Sequence, residues 1–466
     1  MRRTTATAIV VLALLIMAGI PARTNAASPD PTRTDLSSLS AIEAYLASIG
    51  VDPGSVVVQH GRFNYAGPNC PGAGWDCTTA NMVVQISTST SPGANIFDCL
   101  PSLDAVIPAL NECLIVQSSV LNPLETTTTL NSASCDTALD DGSGRTKCTI
   151  RQQSKKGNNN AVIQQHITQR VGSPQSATEI AEITQTSDSG RNTVRIVQTI
   201  DQSLNIGTPA DPTQKQEAHQ TATVDQSSGS GNNSSDVQQA MLQVENAQSN
   251  ANITQDQNTD STSGRNQVAR ITQTTAAPGT NTSNLSHQIT QRQSADCPGC
   301  VVTQTQGSSS GGQRGTVIQT TGSVTQTTIA AQSEDQQQVA DTHGGGTWIR
   351  SQTGPQDCCG EQHGGTTGNV NSVDQTSTEQ NGGGSTVSTQ TGTCSEDVVG
   401  AQCSVHETVT QNGVPHHNDC PPPSTGSCAI FQVCTGEFCG GDPPVLLGAL
   451  PFRERVFALM RGGWVT

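Results

Sequence analysis

Along much of the chain, apolar residues alternate singly with polar ones instead of recurring at helical spacing. The clearest stretch runs from Asn192 to Gln202. Val194, Ile196, Gln198, Ile200 and Gln202 share one parity there, and Arg195, Val197, Thr199 and Asp201 share the other. Successive side chains of a strand point to opposite faces, so this pattern predicts a strand with a Val/Ile/Gln face. From about residue 155 a short string recurs: a β-branched aliphatic residue, usually Thr, then Gln. It stands at Ile167-Thr168-Gln169, Ile183-Thr184-Gln185, Ile196-Val197-Gln198, Ile253-Thr254-Gln255, Ile271-Thr272-Gln273, Ile289-Thr290-Gln291, Val302-Thr303-Gln304, Val324-Thr325-Gln326 and Val409-Thr410-Gln411. Asp takes the middle place in Val224-Asp225-Gln226 and Val373-Asp374-Gln375. Gly and Ser clusters between the strings supply turns, and Ser-Gly-Arg-Asn occurs at both 189–192 and 263–266.

β-Branched residues favour strands. A glutamine inside a stack can bond its neighbour above through both carbonyl and amide. One such unit buries too little to stand alone, and stacking many of them solves that problem. The expected fold class is therefore mostly β: Gln/Thr-rich stacked β-hairpin or solenoid-like repeats, with disulfide-rich flanking regions and substantial disorder. The competing state for 155–330 is a disordered Gln/Thr-rich stalk. Spacing between strings is uneven, with 16 residues from Gln169 to Gln185, 13 from Gln185 to Gln198 and 7 from Gln319 to Gln326.

The Gly…Asn…Val…Gln order of Gly190–Gln202 and Gly264–Gln273 resembles that of curlin-type repeat proteins. The resemblance covers about residues 155–330, with echoes to 411. It implies export, strands paired through internal Gln, Asn and Ser ladders with glycines at the turns, and assembly into extracellular amyloid fibres.

The flanks read differently. Arg2, Arg3, the apolar run Ala8–Ile20 and Thr24-Asn25-Ala26 predict a signal peptide over 1–26, followed by a polar leader over 27–34. Residues 35–150, with Cys70, Cys77, Cys99, Cys113, Cys135 and Cys148, read as a small disulfide-linked α+β head. Its expected helices are Leu36–Ile49, capped by Asp35 and stopped at Gly50, and Leu103–Ile115. Its expected strands are Ser55–Gln59 and Met82–Ser87. Residues 331–440 form a Gly/Pro/Cys-rich region read without regular structure, and 441–466 an apolar, basic C-terminal segment suited to a short amphipathic helix.

Composition sharpens this picture. Aromatics are 2% of the chain, and none lies between Phe97 and Trp348. A conventional core draws much of its buried area from such rings, so an ordinary enzyme domain is not expected there. The formal charge of −16 argues against nonspecific affinity for nucleic acid or anionic membrane. All 16 cysteines follow the signal, which points to disulfides in an oxidising compartment.

Candidate chemistry is sparse. Cys297-Pro298-Gly299-Cys300 has redox-motif spacing, but its strand-like surroundings favour a structural disulfide. Cys358, Cys359 and His363, and His416, His417, Asp419 and Cys420, each lack a second ligand pair for a metal site. His166, His219 and His287 are scattered, and Glu43, Glu112, Glu179 and Glu182 suggest no acid/base pair. Asn232, Asn233, Asn252, Asn281 and Asn284 begin Asn-x-Ser/Thr triplets. No catalytic, cofactor or metal residue is assigned. The expectation is a non-enzymatic secreted or cell-surface structural or adhesive protein that self-assembles through polar β-repeats. It would have itself or an extracellular protein or surface as partner, no nucleic acid, and no stable membrane span once the signal is cleaved. The alternative is a secreted ligand-binding module (35–150) on a disordered stalk.

Overall fold

A computed structural model describes residues 112–120, 130–140, 144–206, 213–257, 266–276, 279–307, 313–321 and 326–341, Ser40, Ala44, Ala47, His343, and the flanking strands named below. The expected signal peptide, leader and 441–466 segment lie outside the described residues.

Two sheets hold the described strands. The first has 14: β1 (Val57–Gln59), β2 (Arg62–Tyr65), β3 (Ala80–Ile86), β5 (Glu112–Ser118), β7 (Gly144–Ser154), β9 (Gln175–Ser187), β11 (Thr213–Ser228), β13 (Ile253–Gln257), β14 (Gln267–Thr275), β16 (Val301–Gln306), β17 (Gln313–Thr321), β19 (Thr347–Cys358), β21 (Ser385–Glu396) and β24 (Cys428–Gly436). The second has 10: β4 (Ala94–Cys99), β6 (Leu130–Asp140), β8 (Asn158–Gln169), β10 (Asn192–Ile206), β12 (Asn233–Gln248), β15 (Asn281–Asp296), β18 (Gln326–Asp341), β20 (Thr366–Gln380), β22 (Gln402–Gln411) and β23 (Val414–Cys420).

Strands consecutive in sequence mostly enter opposite sheets, while neighbours within a sheet are parallel and in register, as in β8–β10–β12–β15. Between these parallel strands the described joining segments, such as 155–157, 188–191 and 229–232, are therefore arcs from one sheet to the other, and of the two expected arrangements the solenoid is the one formed. Two rungs are split in the first sheet: β13 and β14 lie against the two ends of β11, and β16 and β17 extend them. Pairing turns antiparallel only at the ends, in β1–β2, β2–β3, β22–β23 and β21–β24.

The alternation read from sequence is the packing rule. Along the 13 residues of β9 every odd position is buried and every even one is half-buried. Facing columns pair large with small. In the second sheet Cys135, Ile163, Ile196, Val237 and Leu285 stack in register. In the first, Cys148, Ala181, Ala222 and Ala269 do the same. The Cys135–Cys148 disulfide bridges the two columns, and all nine residues belong to one buried cluster. A second cluster again sets Ile167, Ile200, Met241 and Ile289 beside Ala177 and Ala218. One branched side chain against one alanine fills a narrow gap, and an aromatic ring there would wedge the sheets apart. Trp348 is the buried exception, packed with Cys297, Cys300 and Val302.

The arcs from first to second sheet repeat one motif. Ser154 Oγ donates to the Gly157 carbonyl at 2.7 Å and Ser187 Oγ to that of Gly190 at 2.8 Å. Gly157, Gly190, Gly231 and Gly279 stack in a column. A Cβ on Gly190 would lie 1.7 Å from the Gly157 oxygen, and one on Gly231 would lie 1.8 Å from that of Gly190. Only glycine fits this approach.

Several expectations change. Ser40, Ala44 and Ala47 are helical, within the first expected helix. Expected strands at Ser55–Gln59 and Met82–Ser87 correspond to β1 and β3. The expected second helix is not formed at its end, because Glu112–Ser118 is β5, paired in register between β3 and β7. Its run Leu114-Ile115-Val116 is buried throughout, and β-branched residues suit a strand. The expected break near residue 150 falls inside the stack, since β7 and β9 pair without a change of register. Residues 331–440 carry β19–β24, strands where no regular structure was expected. The described residues of 155–330 form stacked strands, not a disordered stalk.

Candidate functional site: the buried amide ladders

The inward positions not taken by aliphatic residues are filled by amides, and the register turns them into continuous columns. Gln85, Gln117, Gln152, Gln185, Gln226, Gln273 and Gln319 form the longest. Each Nε2 donates to the Oε1 of the preceding rung at 2.7–2.9 Å. The second amide hydrogen crosses to the other sheet, from Gln185 to the Thr193 carbonyl at 2.9 Å and from Gln226 to that of Ser234 at 3.0 Å. Each interior amide thus accepts once and donates twice, and the crossing bond holds the sheets close.

A parallel column in the second sheet consists of Asn95, Asn131, Asn159, Asn192, Asn233 and Asn281. Its Nδ2 groups donate toward the following rung at 2.8–3.0 Å, opposite to the glutamines. The second hydrogens again cross, from Asn159 to Thr186, Asn192 to Ser227 and Asn233 to Thr274. Gln169, Gln202, Gln243, Gln291 and Gln336 make another column, as do Gln175, Gln216, Gln257, Gln306 and Gln352. Unpaired, each buried amide would carry a desolvation cost of about 1–3 kcal/mol per group. Paired this way, it specifies register.

Three columns contain an ionisable residue in place of an amide. Gln239 donates to Gln198, and the next rung presents His287 at that place. Burial pushes the His287 imidazole down to about 3, so it is neutral. Glu179 begins the column Gln220, Gln267, Gln313, and Glu245 begins the column Gln293, Gln338. Both glutamates are fully buried. Burial raises Glu179 well above the ordinary carboxylate range and pushes Glu245 up to about 8, against the opposing hydrogen bond from Gln293. Sequence reasoning passed over their role. The available signal was parity: Glu179 falls in step with Ala177, Ala181, Ile183 and Gln185, and Glu182 does not.

The remaining sequence candidates do not converge. His166 lies on the outer face beside the Thr168 hydroxyl at 2.7 Å, His219 faces outward on β11, and His287 is buried. The Cys297–Cys300 disulfide is closed and lies buried within the arc that joins β15 to β16. Cys358 ends β19 and His416, His417, Asp419 and Cys420 lie on β23, while Cys359 and His363 fall outside the described residues. Among the described residues no cluster of three or more His, Cys, Asp or Glu is placed to hold a metal. Asn233 and Asn281 are locked in the asparagine column, whereas Asn232, Asn252 and Asn284 are exposed. Asn232 and Asn252 pin the next rung by accepting the Thr280 and Val301 amides at 3.0 Å.

No family model, curated protein or solved structure matches this chain. Among the described residues no helix is long and apolar enough to cross a membrane.

Proposed function

We propose that this is a secreted or cell-surface structural or adhesive protein, a polar β-solenoid that self-associates and does not catalyse a reaction. One observation supports this reading above the others: the described interior combines in-register amide columns with aliphatic stacks, an arrangement suited to a stiff rod. Regular arrays of Thr, Gln, Arg and Asp on both outer faces would present a repeating surface to another copy or an extracellular partner. The resemblance to curlin-type repeats points the same way. The antiparallel end strands shape the mode of association. A second copy would meet β1, β4, β23 or β24, and Pro415 in β23 blocks part of its edge because it has no N–H to donate.

Sedimentation and electron microscopy of the purified chain over a concentration series test the reading. Sheet two, with 10 strands, is roughly 45 Å long at the usual strand spacing. Filaments or bundles many times that length are expected. Single rods at every concentration, with no adhesion to other surfaces, would remove the assembly reading. Strand-spacing diffraction alone does not decide it, since one chain already supplies that spacing.

A further inference from the structure

We propose that Glu179 and Glu245 are held as neutral carboxylic acids standing in for glutamine amides, so that the solenoid keeps its full stability only while these two protons are bound. The register supplies the argument. In the column above Glu179, Gln220, Gln267 and Gln313 each donate across the gap, to the carbonyls of Ala240, Gln288 and Ser333 at 2.8–2.9 Å. Those three acceptors are stacked in register, and the residue one rung below Ala240 is Thr199. The carboxyl of Glu179 therefore meets the Thr199 backbone where a glutamine would place its N–H. Its Oε2 accepts from Gln220 at 2.9 Å, and its buried Oε1 has no hydrogen-bond partner.

Glu245 repeats the arrangement in the other sheet. Gln293 donates to Glu245 Oε2 and to the Thr305 carbonyl, both at 2.9 Å. Thr305 is in register with Asp256, so Glu245 Oε1, also without a partner, meets the Asp256 backbone. The Thr199 and Asp256 backbones make hydrogen bonds that favour the ionised form, but burial outweighs them, and an O–H at Oε1 donates to the carbonyl across the gap and completes the glutamine pattern. Loss of the proton to solvent during local opening leaves a carboxylate that the closed column does not accommodate.

Among the described residues no cation faces either group. Around Glu179, alternation sends Arg145, Lys147 and Arg151 of β7, His166 of β8, Glu182 of β9, Arg195 and Asp201 of β10, and Lys215, Glu217, His219 and Asp225 of β11 to the outer faces. Around Glu245 the outward groups are Asp236 of β12, Arg195 and Asp201 of β10, Lys215, Glu217, His219 and Asp225 of β11, Arg292 and Asp296 of β15 and Asp256 of β13. The Asp256 charge opposes ionisation of Glu245 further.

The sign follows from linkage. An acid whose folded pKa is raised stabilises fully below its ordinary value of 4.5 and loses that contribution as pH rises through about 8 in the case of Glu245. Within that window the folding equilibrium falls by up to about tenfold per pH unit for each such group. His287 works the other way, weakening the fold only below its ordinary 6.5 and toward about 3. The interval from 6.5 to about 8 therefore belongs to the glutamates and to exposed His343, which its hydrogen bond to Asp296 raises.

The experiment compares the full chain with the E179Q/E245Q double variant, following denaturant midpoints by circular dichroism from pH 6.5 to 9. The midpoint of the parent is expected to fall across the range. The variant, in which His343 is retained, should lose most of that fall and equal or exceed the parent at the alkaline end. Infrared spectra at pH 6.5 should show a protonated-carboxyl stretch in the parent that the variant lacks. Parallel pH profiles, absence of that band from the parent, or failure of the double variant to fold would each overturn the proposal. Because stability is read on dispersed single chains, the outcome is independent of whether the rods assemble.

Discussion

Gln226 makes three side-chain hydrogen bonds in the interior: it donates to Gln185 and to the Ser234 carbonyl, and it accepts from Gln273. Truncating it strands all three partners and opens a cavity. Gln226→Ala is expected to cost about 3–5 kcal/mol in a denaturant titration. Thr223→Ala, on the outer face of the same strand, should stay within about 0.5 kcal/mol. The glycines offer a second contrast. Gly190→Ala drives a Cβ into the Gly157 carbonyl and should cost several kcal/mol or abolish folding. Gly172 has φ +85° with nothing near its added Cβ, so Gly172→Ala should cost only the left-handed strain of about 1–2 kcal/mol. These differences were partly legible beforehand. The parity of Val194 to Gln202 already separated inside from outside, but no local pattern marks Gly190 as stacked on Gly157, because the contact joins different rungs.

At the scale of strands, the columns show which side chains are interchangeable. The Cys135–Cys148 disulfide occupies the place that Ile163 and Ala181 fill one rung later. Reduction should cost about 3 kcal/mol, the usual value for a loop of this length. The double variant C135I/C148A copies the next rung and is expected to recover most of that loss in thermal melts under reducing conditions. A melting temperature no higher than that of the reduced parent would show that the two sites differ in shape. The uneven spacing of the Ile/Val-Thr-Gln strings also resolves at this scale. Adjacent strings often belong to opposite sheets: Gln255 and Gln273 lie in the first and Gln291 in the second. The meaningful interval is one full turn, such as Gln185 to Gln226, 41 residues, or Gln226 to Gln273, 47 residues. Arc length and the split of β13 from β14 absorb the difference.

For the whole molecule, in-register stacking means that a turn can be removed without changing what its neighbours see. Deleting residues 192–232 would seat Asn233 on Asn159, Gln239 on Gln165 and Gln273 on Gln185, restoring each column one member shorter. The shortened chain is expected to keep parallel-sheet circular dichroism and one cooperative melt, whereas a deletion of half that length should unfold the stack. Alkaline weakening through Glu179 and Glu245 is also a property of the whole, since one charge disturbs every amide above it in the column.

Sequence alone determined the strand period and the Val/Ile/Gln interior, because both depend on residues two to four apart, and the absence of a conventional aromatic core, because that follows from composition. It did not determine that consecutive strands enter opposite sheets, that the stack passes the expected boundary near 150 and continues into 331–440, or that two glutamates sit in amide columns. Those depend on which rung lies on which, over separations of about 30 to 50 residues, and only the folded stack brings such positions together.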